Sequence, residues 1–223
     1  MDPRRAGTGY LARPDDGQGP GVLVLHAWWG LTPAVRAVCD QLADAGFVAL
    51  APDLFDGVVA ETISEAEAHL GSVDANELAH RTRSSLQTLL DLPATTGESV
   101  GLVGYSMGAS MALWLAARVP APVAATAVYY GSQDIDMGEA TSAFLGHYLP
   151  SDPYVDDDEL ALLEAELHLD GLSVEFHRYP GVDHWFAESD RPEYNLAAAT
   201  LAWDRTLAFL ATHLPRPGGP PVA

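Results

Sequence analysis

Six apolar runs, most of them unbroken rather than alternating, constrain this chain more than any other feature: Val22 to Leu25, Phe47 to Ala51, Val100 to Val103, Val123 to Tyr130, Ser142 to Leu145 and Ser173 to Tyr179. A strand that is apolar at every position is covered on both faces of its sheet. Stretches of helical period lie between these runs. Thr32 caps one, with Pro33 at its first position and Gly46 as its stop, and Leu78, Leu86, Leu89 and Leu90 mark a second. Leu160, Leu163 and Leu167 mark a third that ends at Gly171; the last runs from about Glu193 to His213 with Leu196, Trp203, Leu207 and Leu210 inward. This alternation predicts an α/β fold, a mainly parallel central sheet with helices on both faces. At 223 residues one domain over 1–223 is expected, with a core of about 20–214 and frayed ends at 1–8 and 215–223. Asp56 to Ala75 has no clear apolar period and reads as a partial lid or as an irregular surface connection, the second being favoured.

Charge narrows the partners. The net charge is −20, from 31 acidic and 11 basic residues, every basic one an arginine. Such a surface repels phosphate backbones and anionic lipid, so neither nucleic acid nor a membrane is expected as a partner. The polar stretch Met1 to Gln18 lacks the apolar core of a signal peptide, which predicts a cytoplasmic protein. Cys39 is the one cysteine; with Val35, Val38 and Leu42 it falls on the apolar side of a predicted helix and reads as a small buried hydrophobe.

Chemistry enters at Gly104-Tyr105-Ser106-Met107-Gly108, which follows the run Val100 to Val103 and precedes the alanine-rich stretch Ala109 to Arg118. A G-x-S-x-G between strand and helix is the nucleophile elbow of α/β-hydrolases, its glycines required because a serine aimed outward on so sharp a turn leaves no room for side chains beside it. A serine hydroxyl needs a base, and the base an orienting acid. Of eight histidines, His184 alone sits on a loop directly after a late strand, within Pro180-Gly181-Val182-Asp183-His184. Asp152, held before Pro153-Tyr154-Val155, is the favoured acid and Asp134 the runner-up; Asp156, Asp157, Asp158 and Glu159 read as the acidic first turn of a helix. Oxyanion donors are expected at the amides of Met107 and Trp28, and Trp28, Trp29, Tyr105, Trp185 and Phe186 as walls of the substrate pocket.

Three blocks then carry a resemblance: VLVLHAWWGL at Val22 to Leu31 followed by GFVALAPDLF at Gly46 to Phe55, VGLVGYSMGA at Val100 to Ala109, and HRYPGVDHWFAE at His177 to Glu188. Over about Gly21 to His213 the chain resembles the dienelactone hydrolase family of α/β-hydrolases. The likeness implies that fold without a large cap domain, cleavage of a small ester or lactone, and an acid loop at Gly146 to Val155 that supports Asp152. The best-known members carry cysteine where this chain has Ser106, glutamate where it has Ala27, and a substrate-holding arginine where it has Glu188. A serine with a His-Asp pair works without that glutamate, whereas a carboxylated lactone would meet a carboxylate at Glu188. No metal or organic cofactor is required, and a monomer or small homo-oligomer is expected. Thioesterase, peptidase and acyltransferase activities share this apparatus, and a catalytically silent ligand-binding fold is the reading from another class.

Overall fold

The computed structural model describes residues 5–6 and 9–215. The expected fraying at 1–8 and 215–223 otherwise lies outside the described residues. Among the described residues eight strands form one sheet: β1 (Arg5–Ala6), β2 (Gly9–Ala12), β3 (Gly19–Leu25), β4 (Val48–Pro52), β5 (Thr95–Tyr105), β6 (Val123–Tyr129), β7 (Ala143–Tyr148) and β8 (Val174–Arg178), in the order β1-β2-β4-β3-β5-β6-β7-β8. From β4 to β8 every neighbouring pair is parallel, and only β1 with β2 and β2 with β4 run antiparallel. The mainly parallel sheet expected from the apolar runs is present. It starts earlier than the expected core, because Gly9–Ala12 pairs with Ala49 to Pro52 and Arg5–Ala6 pairs in turn with β2.

Helices cover both faces. Helix α1 (Pro33–Asp44) and helix α6 (Leu196–His213) bury Val35, Cys39, Leu42, Ala202, Phe209 and Leu210 on one side. Helices α3 (Ala75–Asp91), α4 (Met107–Arg118) and α5 (Asp157–Leu169) bury Leu78, Leu86, Leu89, Leu113, Leu160, Leu163 and Leu167 on the other. At about 25 cal/mol per Å² of apolar surface, each such leucine or phenylalanine stabilises the fold by roughly 1.5–3 kcal/mol. The helix starts follow the sequence: Thr32 accepts from the Val35 amide, Asp156 from Asp158 and Glu159, and Asn195 from Ala198. None of the described helices is long and apolar enough to cross a membrane.

Three expectations are corrected. The stretch Asp56 to Ala75 is not wholly irregular: it holds helix α2 (Ile63–Ser72), closed at its start by a Thr62/Glu65 capping box. The last helix begins at Leu196 rather than about Glu193, and Leu196 faces solvent at 68% exposure, because the inward stripe is Ala199, Ala202, Thr206, Phe209 and Leu210. Strand β7 extends past Leu145 to Tyr148, which buries His147 between the Tyr179 hydroxyl at 2.8 Å and the Thr206 hydroxyl at 2.9 Å.

Candidate active site

Strand β5 stops at Tyr105 and helix α4 starts at Met107, so the single residue between them makes the whole turn. Ser106 has φ 51° and ψ −115°, a backbone region that costs about 1–3 kcal/mol for a residue with a side chain. The surrounding glycines explain how so tight a turn exists. A Cβ on Gly104 would run into the Gly108 carbonyl, and one on Gly108 would run into the Leu25 carbonyl. The turn is held by the Ser106 amide, which donates to the Tyr129 carbonyl at 2.9 Å. Tyr130 (φ 40°) and Trp185 (φ 67°) are strained in the same sense and flank the same spot.

The Ser106 hydroxyl lies 2.9 Å from His184 Nε2, and His184 Nδ1 lies 2.8 Å from both carboxylate oxygens of Asp152. An ionised carboxylate only accepts, so Nδ1 carries the ring proton and Nε2 offers its lone pair to the serine. His184 is 3% exposed and the Asp152 side chain 4%. Asp152 stays aimed because its Oδ1 also accepts from the Tyr154 amide at 2.9 Å, within a short bridge between Asp152 and Val155. Asp134, the runner-up, is exposed in the connection after β6 and lies beside Glu159 and Leu162 of α5. Histidines 26 and 147 are fully buried, and His177 stays on strand β8. Cys39 is buried too, and burial pushes its thiol far up, out of the range where a thiolate forms.

The loop after β3 faces the elbow. His26 Nε2 accepts from the Leu54 amide at 3.3 Å, so its proton is on Nδ1, which lies 2.6 Å from the Ala27 carbonyl oxygen. The Gly30 amide reaches the same oxygen at 3.2 Å. With that carbonyl fixed from two directions, the planar Ala27–Trp28 peptide has its N–H aimed the opposite way. Burial lowers the His26 pKa and keeps the ring neutral in this role. The Met107 amide is at the first position of α4, where a helix leaves its N–H without an intrahelical acceptor.

The aromatic walls divide. Trp28 is half-buried, stacks on Trp185 with centroids 5.8 Å apart, and meets the Tyr154 ring edge-on at 5.7 Å. Tyr154, 47% exposed, sits 4.7 Å from the His184 ring; its place two residues after Asp152 is the sequence signal for it. Trp29 is buried beneath Trp28 and Trp185, with the Arg191 guanidinium over its ring at 4.4 Å. Phe186 is fully buried against Tyr130 and Tyr179 and presents no surface to a substrate, contrary to expectation. Tyr105 is also buried, stacked on Tyr129 at 4.6 Å, and lines a cavity whose walls include neither Ser106 nor His184. Glu188 lines that cavity as well, and its Oε1 accepts from the Tyr130 hydroxyl at 3.0 Å.

A doubly covered, mainly parallel sheet with a strained serine between a central strand and the following helix defines an α/β-hydrolase. The chain belongs to the dienelactone hydrolase family, whose profile matches residues 8–214. It is 30% identical to Protein usf of Aquifex pyrophilus, across 92% of this chain and 93% of that one. It is 29% identical to carboxymethylenebutenolidase 1 of Cupriavidus pinatubonensis, across 91% of this chain and 90% of that one. Among solved structures, a dienelactone hydrolase-like promiscuous phosphotriesterase from metagenomic libraries superposes with a TM-score of 0.81 at 23% identity, covering 92% of each chain.

Proposed function

We propose that this carboxylic ester hydrolase of the dienelactone hydrolase family cleaves a small ester or lactone through an acyl-enzyme on Ser106. The observation that carries the reading is the unbroken line from the Ser106 hydroxyl through His184 to Asp152, with heavy-atom distances of 2.9 and 2.8 Å. The naming of a curated relative as a carboxymethylenebutenolidase is consistent with it.

His184 Nε2 takes the hydroxyl proton as Oγ attacks the substrate carbonyl, and Asp152 steadies the imidazolium that forms. The carbonyl electrons move onto oxygen, where the amides of Met107 and Trp28 hold them. His184 then returns its proton to the leaving alkoxide. A water repeats the sequence against the acyl ester and frees the acid and Ser106. Trp28 and Tyr154, with the buried Trp185 behind them, wall the approach and favour a flat or short apolar acyl group.

A fluorophosphonate tests the nucleophile directly, since it phosphonylates an activated serine with loss of fluoride and ignores an ordinary one. One label per chain, mapped to Ser106 and lost in His184→Ala, is the expected result. A label elsewhere, or none, would overturn the assignment.

A further inference from the structure

A cavity of about 310 Å³ opens between α1 and α6, on the face of the sheet that carries both helices, and the established family activity gives it no task. Its rim is the exposed Ala37, Gln41 and Thr200, its walls are Val35, Val38 and Trp203, and buried Tyr105 and Glu188 close its deep end. The volume lies at the lower limit of small-molecule sites. The lining is apolar apart from a few polar groups, and the group that stands out is a carboxylic acid 4% exposed. One of its oxygens accepts from Tyr130, while Oε2 has no partner, and among the described residues Glu188 has no cationic neighbour in an ion pair. Arg191, the nearest arginine in sequence, acts on Glu188 through space, but its guanidinium pairs with Asp190 at 3.4 Å and lies over the Trp29 ring. A buried carboxyl left half unsatisfied is costly unless something donates to it.

We propose that this cavity is a binding site for a small primary alkylamine, its ammonium group held by Glu188 and its alkyl chain by Val35, Val38 and Trp203. Three features select a cation over other small molecules. Among the described lining residues Glu188 supplies the one group that can carry a charge near neutral pH. An ammonium brings three donors to an oxygen that has none. The net charge of −20 raises the local concentration of cations and lowers that of carboxylates. The site is separate from the Ser106 cleft but only one residue away from it, because the Tyr130 hydroxyl that donates to Glu188 belongs to a ring 4.8 Å from the His184 ring.

Calorimetric titration of the whole protein with n-butylamine, 1-butanol and butyrate at pH 9, where the amine is still protonated and the Glu188 carboxyl, pushed up to about 8 by burial, is ionised, tests the site. The amine is expected to bind at least tenfold more tightly than its neutral isostere, with butyrate not bound. Glu188→Gln, nearly the same shape, should erase the preference for amine over alcohol. Thr200→Trp, on the exposed rim, should block the cavity and abolish amine binding while short-ester hydrolysis persists as evidence of a folded chain. Equal affinity for amine and alcohol in the wild type, or amine binding undiminished in either variant, would overturn the proposal.

Discussion

Glu188 shows what a single buried side chain does to the whole protein. Burial, more than its neighbours Asp190 and Glu193, pushes its carboxyl from 4.5 up to about 8, against the opposing hydrogen bond from Tyr130 and the charge of Arg191. The folded chain therefore holds a proton that the unfolded chain has released, and stability falls as pH rises between those two values, by at most about 1.4 kcal/mol per unit. Thermal melts at pH 6.5 and pH 8, above the range in which the buried histidines act, should show a loss in the wild type that is clearly smaller in Glu188→Gln; parallel curves would mean that the carboxyl is not buried as described. The opposite sign applies to His26 and His147, which burial holds neutral and whose stabilising effect is lost as pH falls below about 6.5. At the same scale, Asp152→Asn keeps the shape of the acid but removes the charge opposite the imidazolium. It should lower kcat by roughly three to four orders of magnitude with little change in KM, and a kcat within tenfold of wild type would move the acid elsewhere.

The elements explain both what the sequence disclosed and what it hid. The turn at Ser106 was legible because it needs glycine at two fixed places, and the unbroken runs of β3, β4 and β5 were legible because both faces of the sheet are covered. Helix α2 escaped notice because it buries only Ala66, so no apolar period marks it, and β2 because it is four residues long. Leu196 misled because the inner stripe of α6 opens on Ala199, Ala202 and Thr206 and reaches large apolar side chains only at Phe209 and Leu210. Phe186 misled because being two residues from His184 in sequence says nothing about which way a side chain points on a loop. The β3 loop yields a prediction that sequence adjacency alone would not support: His26 is a positioning residue for the Trp28 amide, acting through the Ala27 carbonyl. His26→Ala should lower kcat by about 10- to 100-fold with KM nearly unchanged, and His26→Gln should recover part of it by supplying a donor to the same oxygen. Equal losses in KM and kcat, without recovery by glutamine, would reduce His26 to a packing role.

Across the whole molecule the excess of 31 acidic over 11 basic residues acts on whatever approaches. Anionic esters should react with lower kcat/KM than neutral isosteres of the same size, and the gap should narrow as salt shortens the Debye length from about 10 Å at 0.1 M to about 3 Å at 1 M. A gap that does not respond to salt would locate the discrimination at the pocket and not in the overall field. The fold itself, a parallel sheet presenting the ends of β5, β7 and β8 on one side, is what gathers Ser106, Asp152 and His184 from sequence positions up to 78 residues apart. The most direct measurement of that claim is hydrolysis of p-nitrophenyl acetate by the wild type and by Ser106→Ala at equal concentration. A fall in kcat of roughly four to six orders of magnitude, with the melting temperature of the variant retained, is the predicted result. Retention of most of the activity by a folded Ser106→Ala protein would contradict the account at its centre.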